Sequence, residues 1–280
     1  MRISGFTIAR DVIKYNYPVL ESIQSILPIC DEFIVNVGDS EDGTLKLIQS
    51  LRSPKIRIIQ HPWDFSVGKE VLSIQTNLAL KECRGEWAFY LQSDEVIHEQ
   101  DLNRLIDLMH HHLNDQSIDA LRFGWLHFYG SYYRYRIDHG WYQKQNRIIR
   151  NNGEIESFGD AFGFKRKDNR SLVHKNTSCF VYHYGWVHSE SMMTQRRLNA
   201  ERIGFTSLEE SERERDYSYG DLNRFPAYFG SHPKVMRQKI QSHAISQNDL
   251  RVIDKKYWYH PLRLLRARYK TGKRVKARIN

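Results

Sequence analysis

An apolar run, Trp87-Ala88-Phe89-Tyr90-Leu91, passes through Gln92-Ser93 and ends in two adjacent carboxylates, Asp94-Glu95. Read as a strand, this run places its acids at a carboxyl end, where open α/β sheets bind ligands. A carboxylate there can hold a divalent cation that bridges a diphosphate, because magnesium takes one or two protein carboxylates and fills its shell with phosphate and water. The same acids also suit the plainer task of capping the next helix. A second segment, Gly38-Asp39-Ser40-Glu41-Asp42-Gly43-Thr44, is built like a tight turn. An acid in such a turn can accept from a base or a ribose hydroxyl, or simply cap a helix. His183 ends a β-like run before Gly185. Its imidazole can complete a metal shell or meet a phosphate, although a histidine among aromatics is also a common packing residue. Arg196 and Arg197 could neutralise a departing diphosphate or form an exposed helix face. The run Tyr132-Tyr133-Arg134-Tyr135-Arg136 suits an acceptor groove or the outer face of a sheet. His110-His111-His112 has no carboxylate or cysteine at ligand spacing and fits a helix terminus.

The elements that must position these groups alternate. Strands are expected at Ile3 to Ile8, Phe33 to Val37, Ile56 to Gln60, Trp87 to Leu91 and Ala120 to Trp125. Helical spacing links Val19, Ile23, Ile26 and Leu27, then Leu45, Ile48 and Leu51, with further helices over Val71 to Cys83 and from about Asp101 to His112. This order predicts an α/β unit whose mixed, mostly parallel sheet is flanked by helices. Shorter β-like pieces follow at Arg147 to Arg150, Phe162 to Lys165 and Phe180 to Tyr184, then a helix over Met192 to Arg202 and a charged, solvated stretch from Glu209 to Asp216. The expected organisation is one catalytic domain over residues 1–204 and a helical extension with a basic tail over 205–280. Within the domain, residues 1–125 form a nucleotide-binding half and residues 126–204 an acceptor half.

Composition narrows the classes. The net charge of +9 resides in the tail, since residues 251–280 carry 11 Lys or Arg against the single acid Asp254. A nearly neutral body argues against a nucleic-acid-binding surface, and the tail suits phosphates of a membrane face. Cys30, Cys83 and Cys179 lack C-x-x-C spacing, so buried reduced thiols are expected and not a zinc knuckle or disulfide framework. The first apolar stretch is too short for a signal peptide, and none reaches the ~20 apolar residues of a spanning helix. The expected location is the cytoplasm or the inner face of its membrane.

Taken together, Gly38 to Thr44, Trp63-Asp64-Phe65-Ser66, the helix bearing Gln75-Thr76-Asn77, and Gly85-Glu86-Trp87 through Asp94-Glu95 resemble the family 2 glycosyltransferases of the GT-A fold over roughly residues 1–190. The resemblance lies in the order of the segments. It implies transfer of a sugar from a nucleotide-diphospho-sugar donor to an acceptor hydroxyl with inversion, in glycan, cell-surface polysaccharide or glycolipid synthesis. The donor would lie across Ala9, Arg10, Asp39, Gln92, Ser93 and Asp94, with magnesium or manganese on Asp94 and His183. Arg147-Ile-Ile-Arg150 and the acids Glu156 and Asp160 resemble the family's segment bearing the catalytic base, with Asp160 the first choice and Glu156 the reserve. The implied acceptor is a glycan or a lipid-linked molecule. One departure stands out: Gln92 occupies the place of the first acid in the family's D-x-D. It can bond a hydroxyl but brings no charge to a metal, which also leaves room for a non-catalytic nucleotide- or glycan-binding protein on the same fold.

Overall fold

The computed structural model describes residues 1–138 and 140–242. The basic tail therefore lies outside the described residues. Eleven strands are present among them: β1 (Ile3–Ala9), β2 (Glu32–Val37), β3 (Ile56–Gln60), β4 (Trp87–Tyr90), β5 (Glu95–Ile97), β6 (Ala120–Tyr129), β7 (Tyr135–Arg136), β8 (Lys144–Arg150), β9 (Ile155–Phe158), β10 (Gly163–Arg166) and β11 (His174–Trp186). The main sheet runs β3-β2-β1-β4-β8-β6-β11-β5, with β7 on β6, while β9 and β10 form a separate hairpin. β3, β2, β1 and β4 are parallel; β8 runs antiparallel to both β4 and β6; β6 and β11 are again parallel. This is the mixed, mostly parallel sheet that the alternation of elements predicts.

Side-chain alternation divides the core between the two faces of the sheet. Phe33, Val35, Val37, Trp87, Phe89 and Leu91 meet Val19, Ile23 and Ile26 of α1 (Val19–Ile26), Ile48 of α2 (Thr44–Gln49), and Leu105 and Met109 of α4 (Leu102–His111). Ile34, Ala88 and Tyr90 meet Ala79 and Leu80 of α3 (Val71–Lys81) on the opposite face. All seven β1 residues are buried, as a central parallel strand covered on both faces requires. Gly5 is needed there because a Cβ would stand 2.4 Å from the Phe33 ring.

A fully buried ion pair crosses this core. Arg147 on β8 donates from Nε and Nη2 to the two carboxylate oxygens of Glu95, each at 2.7 Å, and both side chains are wholly shielded from solvent. Such a fork-to-fork pair satisfies both groups, and each becomes costly when its partner is removed.

β11 is longer than the expected Phe180 to Tyr184. A bulge between Asn176 and Phe180, with Ser178 at φ 63°, interrupts the two-residue period from which the strand was read. β6 likewise runs on to Tyr129. After α5 (Glu190–Arg202), residues 205–242 hold two short α-helices, α6 (Glu210–Arg213) and α7 (Arg237–Ser242), two 3-10 turns at Leu222–Arg224 and Lys234–Met236, and otherwise irregular chain. This segment straps back over the sheet. Tyr219 and Leu222 pack with Tyr129 and Met193, and Tyr228 and Met236 pack with Phe128, Tyr182 and Tyr184. Buried Arg134 fastens the strap by donating to the Phe225 carbonyl and to Asn223 Oδ1, both at 2.9 Å. Tyr132, Arg134 and Tyr135 are therefore packing residues and not a groove. All three cysteines are free and buried.

His232 in the strap lies 2.8 Å from the Tyr184 hydroxyl and 3.0 Å from the Tyr132 carbonyl, and burial holds its imidazole down to about 4. Below about pH 6.5 the unfolded chain takes up a proton here that the folded chain refuses, so stability falls as pH drops toward 4, by no more than about 1.4 kcal/mol per pH unit. Urea unfolding between these limits should show a slope to which buried His127 also contributes, and His232→Gln should remove only the His232 share of it. At neutral pH, Glu95→Gln should lower the unfolding free energy by about 3–5 kcal/mol by stranding the Arg147 charge; a loss below about 1 kcal/mol would contradict the buried pairing.

Candidate active site

The carboxyl ends of β1 and β4 open into a cavity of about 600 Å³. Ile8 and Arg10 come from the end of β1, Tyr15 and Tyr17 from the loop that follows, Trp63 and Phe65 from beyond β3, and Gln92, Ser93 and Asp94 from beyond β4. Asp160 enters from the β9–β10 turn. Trp186, Met193, Arg196, Ile203, Phe205 and Tyr217 close the other side.

Asp94 is held from several directions. Its carbonyl accepts from Tyr184 N at 2.8 Å, and its Oδ2 stands 3.5 Å from His183 Nε2. The carboxylate can approach this closely because residue 185 is glycine: a Cβ there would lie 2.3 Å from Asp94 Oδ2 and 2.9 Å from His183 Nε2. Burial alone would raise the Asp94 carboxyl, but His183 and the Arg196 guanidinium outweigh it and hold the group below the usual carboxylate range. Asp94 is therefore ionised at neutral pH. Arg196 is itself fixed, donating to the Gly185 carbonyl at 2.5 Å and the Tyr17 hydroxyl at 2.7 Å.

A second histidine sets the proton positions. His127 Nε2 lies 2.9 Å from the Tyr142 carbonyl, so it carries the proton and donates. Burial, with His183 adding to it, pushes the His127 imidazole down to about 3, so the ring is neutral and its Nδ1 bears a lone pair. That lone pair accepts from His183 Nδ1 at 3.1 Å. His183 thus points Nε2 at Asp94. Without a proton, Nε2 offers a lone pair beside a carboxylate, the donor set a divalent ion takes from a protein that leaves the remaining positions to phosphate and water. Asp94, on the cavity wall, and His183, buried behind it and outside the lining, offer two such donors. Among the described residues no cluster of three or more His, Cys, Asp or Glu could hold one unaided.

The other expected site residues divide. Arg10 lines the cavity, stacked 4.7 Å above the Phe65 ring and paired with Asp11 at 2.9 Å and Asp39 at 3.2 Å. Asp39 is 55% exposed and does not line the cavity; it sits at the rim and accepts from Trp63 N at 3.3 Å. Ala9 is buried in the sheet, its carbonyl bonded to Gly38 N at 2.9 Å. Ser93 ties two strand ends together, its hydroxyl donating to the Ile8 carbonyl at 2.8 Å. Glu156 pairs with Lys165 on the hairpin, outside the cavity lining, while the exposed Asp160 side chain lines it. Glu95, beside Asp94 in sequence, points the other way into the Arg147 pair. Arg197 also lines the cavity and donates to the Arg215 carbonyl. Sequence reasoning did not assign the aromatic wall of Tyr15, Tyr17, Trp63, Phe65, Trp186 and Phe205 to the site. The available signal for part of it was position, since Tyr15 and Tyr17 directly follow the first strand.

Gly185→Ala should force Asp94 and His183 apart and cost about 1–3 kcal/mol of stability by overpacking. Urea unfolding measures this, and an unchanged midpoint would show that the carboxylate is not seated against residue 185.

The profile of Glycosyl transferase family 2 matches residues 14–183. Among solved structures, S. aureus TarS is 18% identical, with 76% of this chain and 41% of TarS covered at a TM-score of 0.44. The match therefore spans about two fifths of the length of that protein. Glucosyl-3-phosphoglycerate synthase from Mycobacterium tuberculosis, in complex with Mn2+, UDP-glucose and phosphoglyceric acid, is 18% identical, with 44% of each chain covered at 0.32. The mannosyltransferase PcManGT from Pyrobaculum calidifontis, in complex with GDP-Man and Mn2+, is 16% identical, with 45% of this chain and 36% of that one covered at 0.34. No curated protein matches. Because the family profile spans more than half of the chain, this chain belongs to glycosyl transferase family 2.

Proposed function

We propose that this glycosyltransferase moves a sugar from a nucleotide-diphospho-sugar to an acceptor hydroxyl with inversion. The observation that carries the reading is one cavity holding an ionised Asp94 backed by His183, with a second, separate carboxylate, Asp160, on its wall. Two acids kept apart in this way can take different roles. Asp94 and His183 would hold magnesium or manganese, which supplies electrostatic stabilisation to the leaving diphosphate. Arg10, Arg196 and Arg197 bring guanidinium groups to the same cavity and would bind the phosphate oxygens. Phe65 and Trp63 give flat apolar surface for the nucleoside. Asp160, at the exposed lip, would take the proton from the acceptor hydroxyl as its oxygen attacks the anomeric carbon.

The acceptor is proposed to be a glycan or a lipid-linked molecule met at the cytoplasmic membrane face, with the basic segment 251–280 touching anionic lipid. Among the described residues no helix is long and apolar enough to cross a membrane.

The test is a nucleotide-sugar panel scored for donor consumption with and without manganese. Asp160→Asn should lower turnover about 100-fold or more while leaving nucleotide binding intact, and Asp94→Asn should remove the manganese dependence of binding. If Asp94→Asn stays within a few-fold of the parent, the metal role is wrong. Gln92 favours one rival, a binding protein without turnover: manganese-dependent stabilisation by UDP or GDP, with no donor consumed, would support that reading instead.

A further inference from the structure

Gln92 raises a question that the family pattern alone does not answer: what an amide does where an acid is expected. Its backbone is pinned, N donating to Glu95 Oε2 at 3.1 Å and the carbonyl accepting from Ser22 Oγ at 2.9 Å. Its side chain lines the cavity and reaches across to the β9–β10 hairpin, where Nε2 donates to the Ala161 carbonyl at 3.3 Å.

The turn it touches is a demanding one. Between Phe158 and Gly163 the chain passes through Gly159 and Ala161, both at φ 59°. Ala161 is an L-residue with a side chain in the left-handed region, a conformation that persists only where the surroundings hold it. Three hydrogen bonds do so here. Ala161 N donates to the Phe158 carbonyl at 3.1 Å, Gln92 donates to the Ala161 carbonyl, and Arg147 Nη1 donates to the Phe162 carbonyl at 3.0 Å. Ala161 is wholly buried, so the turn directs its one acid, Asp160, outward into the cavity.

We infer that Gln92 is a positioning residue, whose carboxamide holds the turn that presents Asp160. An acid cannot do this in its ionised form, because a carboxylate has no proton to give a carbonyl oxygen and would set oxygen against oxygen. It would also add another negative charge to a cavity that already holds Asp94 and Asp160. A neutral donor of this length meets both requirements, which accounts for the departure from the family's acid at this position. The role assigned to Asp160 rests on the function proposed above; the coupling of residue 92 to the turn does not.

The experiment uses the full chain with Gln92→Met, which keeps the volume and removes the donor, and Gln92→Glu, which restores the family's acid. Two readouts are taken: amide hydrogen exchange over residues 158–163, and kcat against donor KM for whichever nucleotide sugar the parent consumes. Both variants should exchange faster across the turn, lose about tenfold or more in kcat, and keep donor KM within about threefold, since loss of one hydrogen bond that orients a catalytic group acts on the reacting geometry and not on donor binding. Unchanged exchange overturns the inference whatever the activity. Parental turnover in Gln92→Glu overturns it as well, and a raised donor KM with unchanged kcat overturns it and makes Gln92 a donor-binding group. If the parent consumes no nucleotide sugar, the functional reading fails, and the exchange measurement still decides the role of Gln92 in the turn.

Discussion

The site depends on the pairing of Arg147 with Glu95. Arg147 reaches in two directions from β8: its fork closes on Glu95, and its remaining nitrogen bonds the Phe162 carbonyl. Glu95 in turn accepts from the backbone of Gln92. One guanidinium thus fixes both the loop that carries Asp94 and the turn that carries Asp160, although these lie far apart in sequence. Trp125, 4.6 Å from the guanidinium, and Tyr90, at 5.4 Å, enclose it and exclude water. Replacement by packed apolar side chains could give equal stability in a simple core. It could not orient two loops at once, and this explains a pair of charges at the centre of a sheet.

The electrostatics of the cavity follow from the same economy of protons. His127 is kept neutral by burial and spends its one proton on a carbonyl, which leaves His183 no choice of tautomer. The ring nearest Asp94 is therefore oriented from behind, through a residue that never reaches the cavity. Arg196 completes the arrangement by lending positive potential to Asp94 while its own hydrogen bonds go to Gly185 and Tyr17. The carboxylate stays charged in a place where burial would otherwise neutralise it.

The sheet was legible because its strands have strong local signals. β1, β2 and β4 are short apolar runs bounded by turns, and the acid at the end of β4 announced the open side of the sheet. Position along a strand could not separate Asp94 from Glu95. Neighbouring residues face opposite ways, and only the arrival of Arg147 from 52 residues away decides which one is structural. The walls were harder to read. α5 shows almost no apolar stripe, because the face it offers the cavity is itself half polar, with Arg196, Arg197 and Asn199 beside Met193 and Ala200. The strap holds few regular elements, and its contacts are aromatic packing and carbonyl bonds that leave no periodic trace. The reach of Gln92 to Ala161 is likewise a tertiary fact.

The family profile ends at residue 183, yet the cavity does not. Trp186, Met193, Ile203, Phe205 and Tyr217 stand beyond that limit and still form one bank of the cleft, opposite the strand ends that carry Gln92 and Asp94. Residues inside and outside the family match thus face each other across a single space. Substitutions at these five positions reshape one wall of the cleft while the strand ends opposite keep Gln92 and Asp94, so the contour of the space and the groups at its floor are separately adjustable.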